Sequence, residues 1–326
     1  MRLMDGLRFA VGTLSVLPVR VERVDRQVAG QAMTLAPAVG LLLGLIAGLA
    51  LLPPAPPLLG AALALGLLAL LTRGLHLDGL ADLADGLGSG KPAGQALDIM
   101  KKSDIGPFGV MTLVLTLLVQ VVALADTGLW ALVTACVAGR LALTWACRSG
   151  VPAARPDGLG AMVAGTVRGP AVWLATVAAL LAAAVIGLLS APGTGLWAWS
   201  GGPGPDPGTV LFEEKYYARS ACSPDDAGSS WCAQSPPPGP RSNGAFVLRE
   251  EEPQDVRMVA VSGGSGAGQG LSGLVVAPVA LLAGLGAALL LLAHARRRLG
   301  GITGDVLGAL VETATAATLV VCAILG

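Results

Sequence analysis

Polar cover is what this chain has least of. Only 13% of its 326 residues are charged, against about 25% in a typical soluble domain. Histidine is nearly absent: His76 and His294 are the only two, which excludes a multi-His metal centre. No HExxH helix, zinc-type cysteine pairing or P-loop occurs, and no run of Lys/Arg interleaved with aromatics points to nucleic acid. Aromatics make up 4% of the chain, hydrophobic residues 54%, and the 21 Lys+Arg balance the 21 Asp+Glu. Long apolar runs with so little charge indicate an integral membrane protein.

A helix needs about 20 apolar residues to cross the hydrocarbon core. Seven segments qualify: 33–52, 57–75, 107–125, 129–147, 171–190, 272–293 and 305–325. Pro53-Pro54-Ala55-Pro56 and Asp126-Thr127-Gly128 separate the first two pairs as tight turns, since proline cannot continue a helix. With the N-terminus inside, segments 1–32, 76–106, 148–170 and 294–304 hold nearly all the Lys and Arg outside 191–271, and the two short outer turns hold none. That is the positive-inside bias. Trp130, Trp197 and Trp199 then flank the outer ends, Trp145 and Trp173 the inner ends. The expected architecture is therefore all-α, a polytopic membrane bundle of about seven transmembrane helices. The apolar stretch at 2–17 is interrupted by Asp5 and Arg8 and does not read as a cleaved signal. Leu3, Leu7, Val11, Leu14 and Pro18 give it one apolar face, either as an amphipathic helix on the inner leaflet or as an extra helix packed into the bundle.

Domain boundaries follow composition. Residues 1–194 hold five spans and 271–326 hold two; 195–270 forms a polar insert on the outer side. Segment 191–271 is rich in Gly, Pro and Ser and carries nine acidic against five basic residues, a composition expected to stay disordered or loosely folded. Cys222 and Cys232 there are a disulfide pair or free thiols. Gly263-Gly264-Ser265-Gly266-Ala267-Gly268 reads as a linker. Cys136, Cys147 and Cys322 sit in spans as small apolar residues.

Charges beside apolar spans are costly and therefore informative. Asp78, Asp82 and Asp85 are spaced i, i+4, i+7, within roughly 60° of arc on one helix face. Their mutual repulsion calls for a positive partner, and a hard divalent cation such as Mg²⁺ takes oxygen ligands of this kind. A solvated acidic loop is the plainer reading, but it would not need the regular apolar spacing of Leu80, Ala81, Leu83 and Ala84. A second polar set, Lys101-Lys102-Ser103-Asp104, precedes Gly106-Pro107. The lysines suit phosphate or simple membrane anchoring, while Asp104 has no topogenic use. The third set is Arg296-Arg297-Arg298 through Thr303 and Asp305, with Glu312 seven residues beyond Asp305. Arg140 within a span either snorkels or meets a phosphate, and His76 is a structural histidine or a base. Carboxylates, cations and glycine turns at one membrane face suggest metal-assisted phosphoryl transfer.

At these residues the chain resembles the cobalamin synthase (adenosylcobinamide-GDP ribazoletransferase) family. GLHLDGLADLADGLG at 74–88, DIMKKSDIGPFGV at 98–110, LGGITGDVLGALVE at 299–312 and LRFAVGTLSVLPV at 7–19 carry the likeness. It covers nearly the whole chain except about 195–270, where the family is expected to have only a short turn.

The resemblance implies an Mg²⁺-dependent transferase, multi-pass in the cell inner membrane and active on the cytoplasmic side. A hydroxyl of α-ribazole (or its phosphate) attacks adenosylcobinamide-GDP and GMP leaves, the last step of cobalamin assembly. It implies metal binding by Asp78, Asp82 and Asp85, and catalysis by Asp82, Asp104 and His76. Substrate binding falls to Lys101, Lys102, Ser103, Arg140, Thr303 and Asp305. Membrane lipid is the expected surround, nucleic acid is not a partner, and a homo-oligomer is compatible with the pattern. Two other readings compete. Asp82-x-x-Asp85-Gly86 resembles the start of the CDP-alcohol phosphotransferase signature D-x-x-D-G-x-x-A-R, but Gly88-Ser89 does not continue it. A cation-coupled transporter would need acids near mid-span, where only Glu312 lies.

Overall fold

The computed structural model describes residues 2–189 and 266–326. The expectations for the polar insert, its cysteine pair, the linker and Trp197 and Trp199 lie outside the described residues. The helices are α1 (Arg2–Leu14), α2 (Arg26–Gly48), α3 (Pro57–Leu71), α4 (Leu75–Gly88), α5 (Ala93–Ile99), α6 (Pro107–Thr127), α7 (Leu129–Ala146), α8 (Gly158–Val163), α9 (Gly169–Leu189), α10 (Gly266–Leu299) and α11 (Gly304–Leu325). Among the described residues there is no strand, only two isolated bridges, Arg148 with Val167 and Ala153 with Ile302. The protein is a polytopic helical membrane bundle.

Among the described residues six helices are long and apolar enough to cross a membrane: α2 with its 3-10 extension to Leu51, α6, α7, α9, α10 and α11. The segment expected to cross at 57–75 is one arm of a bent helix pair, α3 with α4. Helix α3 has 15 residues, a rise of about 22 Å at 1.5 Å per residue, short of the ~30 Å hydrocarbon core. Arg73 and Gly74 then adopt left-handed φ values of 56° and 67°, and the Gly74 N–H donates back to the Ala69 carbonyl at 2.8 Å. This closes the helix end in the manner of a Schellman turn. The chain leaves at 89°, so α4 runs across the bundle instead of through it.

Helix α7 is the central element, with 83% of its span enclosed by protein and α2, α9, α10 and α11 packed around it. Small buried residues at helical spacing on α2 (Ala29, Ala32, Ala36, Gly40, Gly44 and Ala47) let it approach α7 closely, the usual solution where lipid is as apolar as the helices themselves. Helices α6 and α9 lie at the periphery. They expose Val110, Val114, Leu118 and Val122, and Leu174, Val177, Leu181 and Val185, surfaces suited to acyl chains. Trp145 packs edge-on against Trp173 at 5.2 Å between ring centroids, and its indole N–H donates to Thr176 at 3.0 Å. Helix α1 packs on α2 through Phe9, Ala10 and Leu14, while Met4 and Leu7 stay exposed. Of the apolar face expected on this helix, Leu14 and Val11 meet the core and Leu7 is exposed.

Helix α4 crosses the first turns of α11 at two glycines. A Cβ at Gly79 would lie 2.7 Å from the Asp305 carbonyl oxygen, and one at Gly308 would lie 3.0 Å from that of His76. Gly79→Leu should therefore push α4 off α11, lowering the thermal midpoint in detergent by an amount in line with the ~1–3 kcal/mol of overpacking. Gly66→Leu, where nothing lies within 4 Å of the added Cβ, should leave the midpoint unchanged.

Candidate active site

Three aspartates share one face of α4 but not one environment. Asp78 is exposed, Asp82 half-buried and Asp85 buried. Asp85 turns toward the start of α6: its carboxylate accepts the Gly106 N–H at 2.7 Å and the Gly109 N–H at 2.9 Å. Both donors belong to a helix N-terminus, whose free N–H groups and dipole favour a negative charge. A side chain at either glycine would run into that carboxylate. Asp85 therefore clasps α4 to α6 and anchors the end of the 89–106 connection. Its oxygens are committed to backbone, which leaves Asp78 and Asp82 as the acids of α4 facing outward.

Asp305 comes to the same place from α11. Thr303 caps that helix by accepting the Val306 N–H at 3.2 Å, and its hydroxyl also lies 3.2 Å from an Asp305 oxygen. The 147–157 connection docks alongside through the Ala154 N–H to the Ile302 carbonyl at 2.9 Å and the Ile302 N–H to the Pro152 carbonyl at 3.0 Å. Docking brings Arg155 to Asp305, with N and O 3.7 Å apart, while its other terminal nitrogen donates to the Leu97 carbonyl. Arg155 is thus a candidate site residue that charge patterning assigns only to the positive flank. Nothing in its sequence neighbourhood marks it; only the two backbone hydrogen bonds place it.

Burial, and then the carboxylates of Asp78, Asp305 and Asp85, push the Asp82 carboxyl up to about 6, with Arg155 opposing. The acids feel one another, yet among the described residues no three His, Cys, Asp or Glu side chains converge to hold a metal ion. The donor set suits a hard cation that takes one or two protein carboxylates and fills its shell with water and substrate phosphate, the habit of Mg²⁺.

The remaining predicted residues divide into two groups. Lys101, Lys102, Ser103 and Asp104 are exposed, beside the Asp85 clasp and free to meet a ligand. His76 of α4 and Arg140 of α7 are 4% and 1% exposed, turned into the bundle, so neither presents its side chain to the open end. Thr303 is also buried, its hydroxyl engaged in the α11 cap.

A helical membrane bundle carrying acids flanked by cations and backbone N–H groups at one end is a framework suited to a membrane-embedded transferase. The family model for cobalamin-5-phosphate synthase matches residues 6–202 and 227–323, and the chain belongs to that family. The match enters the polar segment from both sides, leaving a narrower unmatched stretch than the 195–270 expected. Among curated proteins, the adenosylcobinamide-GDP ribazoletransferase of Frankia casuarinae is 38% identical over 97% of this chain and 93% of its own length. Those of a Nocardioides species and of Rhizobium etli are 45% and 39% identical, over 57% and 52% of this chain and 82% and 67% of their own lengths. No solved structure matches the chain.

Two outcomes follow from this geometry. Asp85→Ala leaves two helix N–H groups without their acceptor, a loss of about 1–3 kcal/mol each, and should make the 89–106 connection cleave faster in limited proteolysis. Because the folded Asp82 carboxyl titrates above its ordinary value of 3.8, metal-free protein gains stability from its protonation below pH 3.8 and loses it as pH rises through about 6. Asp82→Asn should flatten that part of the thermal midpoint–pH curve.

Proposed function

We propose that this protein is an adenosylcobinamide-GDP ribazoletransferase, joining adenosylcobinamide-GDP to α-ribazole or its phosphate with release of GMP. The observation that carries the reading is the meeting of Asp78 and Asp82 of α4 with Asp305 and Arg155 at the capped start of α11. The three aspartates fall in two of the stretches by which the sequence resembles the family, 74–88 and 299–312. A ribazole hydroxyl attacks the phosphorus nearer the cobinamide arm, its O–P bond forms as the bond to the GMP oxygen breaks, and the hydroxyl proton passes to a base.

Asp78 and Asp82 would hold Mg²⁺, which when bound supplies positive charge to the diphosphate. Asp104, exposed beside the clasp, is suited to take the hydroxyl proton. Lys101 and Lys102 offset the charge of the departing GMP. Arg155 holds Asp305 in place, so that this carboxylate orients substrate or metal. Asp85 acts through the backbone by fixing where the 101–104 segment sits. The basic residues flanking this end of the bundle support a cytoplasmic site in the inner membrane, with lipid surrounding the exposed faces of α6 and α9.

The test is GMP release from adenosylcobinamide-GDP by purified protein in lipid vesicles with α-ribazole and Mg²⁺. Wild-type protein should release GMP and form the coupled corrinoid. Asp82→Asn should lower kcat by about 10²–10³, the usual cost of removing a charge-organising group. Wild-type turnover in that variant removes the metal assignment. CMP release from a liponucleotide would instead place the protein with the CDP-alcohol phosphotransferases.

A further inference from the structure

Behind α4 the bundle encloses a second polar set that the site does not use. Arg140 of α7 is the largest fully buried side chain among the described residues. Its Nε and Nη2 have no hydrogen-bond partner, and no carboxylate lies within 4.0 Å of it among the described residues. Glu312 of α11 is 9% exposed and accepts a hydrogen bond from Gln120 of α6 at 2.9 Å. Gly139, next to Arg140, packs against Val311, next to Glu312, and the His76 backbone packs against Gly308, one turn before Glu312. His76 Nε2 and the Thr315 hydroxyl are buried without partners, and Thr315 lies against Gly139, next to Arg140. A guanidinium with open donors, a carboxylate, an imidazole nitrogen and a hydroxyl thus lie on packed stretches of α7, α11 and α4 within the bundle.

Buried charges persist only when paired and hydrogen-bonded, and a gap wider than a hydrogen bond between polar groups is what a buried water fills. We propose that Arg140 and Glu312 form a water-bridged internal ion pair, with His76 and Thr315 as further ligands of the water, and that this pair fixes the seat of α4. His76 belongs to α4 itself, so the bridge ties the acid-bearing helix to α7 and α11 from behind. Arg140 and Glu312 are on this reading positioning residues and do not touch substrate; that part rests on the transferase function proposed above.

Two measurements test the proposal. In detergent-purified protein, Arg140→Gln and Glu312→Gln each leave one charge unpaired and should lower the thermal midpoint. The double variant R140Q/E312Q, with no net charge to compensate, should be more stable than the worse of the two. The Mg²⁺ concentration for half-maximal GMP release should rise several-fold in R140Q and return toward wild type in the double variant and in R140K. That change would not accompany a merely structural loss. A double variant no more stable than the worse single one overturns the pair.

In wild-type protein, millisecond hydroxyl-radical pulses generated from bound water should label peptides 133–142 and 308–316 despite their burial, and absence of label there overturns the water bridge. If wild-type protein releases no GMP, the transferase reading fails while the midpoint and labelling results still decide the pair.

Discussion

The structure turns on the repulsion among acids held at one end of an apolar bundle. Asp78 and Asp82 lie one turn apart on α4, and α11 brings Asp305 against them. Each is near enough to make it harder for Asp82 to ionise. Proteins rarely keep such a set beside lipid without a counter-charge. Here Arg155 answers part of it from the 147–157 connection, and helix N-termini answer another part: Asp85 takes two N–H groups of α6, and Asp305 sits in the first turn of α11. What remains unanswered is the outward face of Asp78 and Asp82, the part open to a cation and a diphosphate.

Everything that puts α4 there is backbone geometry. Because α3 stops short and the chain reverses its φ at Arg73 and Gly74, α4 turns 89° from α3 and lies against the first turns of α11. Gly79 and Gly308 allow it to touch α11 directly. The clasp from Asp85 then carries the same registration to the 89–106 connection, so that one short helix positions two polar segments at once.

Much of this was legible in residue order. Apolar runs locate the six long crossing helices among the described residues, four of them to within about two residues at each end and two only to within about seven at one end, and the i, i+4, i+7 spacing puts the three aspartates on one face. That spacing says nothing of depth, however, so it cannot distinguish Asp85, turned into α6, from Asp78, turned outward. Hydropathy also carried the span at 57–75 too far, because Arg73 and Gly74 break the helix through a left-handed turn that an apolar average does not register. Arg155 was hidden for another reason: its role depends on two loops meeting through Ile302, a contact between residues about 150 positions apart. Arg140 and His76 stand out as polar residues near the membrane, but only packing shows both side chains buried within the bundle.

The most direct measurement is a Mn²⁺ titration of purified wild-type protein followed by electron paramagnetic resonance, with and without a guanosine diphosphate ester. One bound ion per chain is expected, held more tightly when the diphosphate is present and lost when Asp78 and Asp82 are both replaced by Asn. Absence of binding, or binding that those two replacements leave unchanged, would contradict the role assigned here to the acidic face of α4.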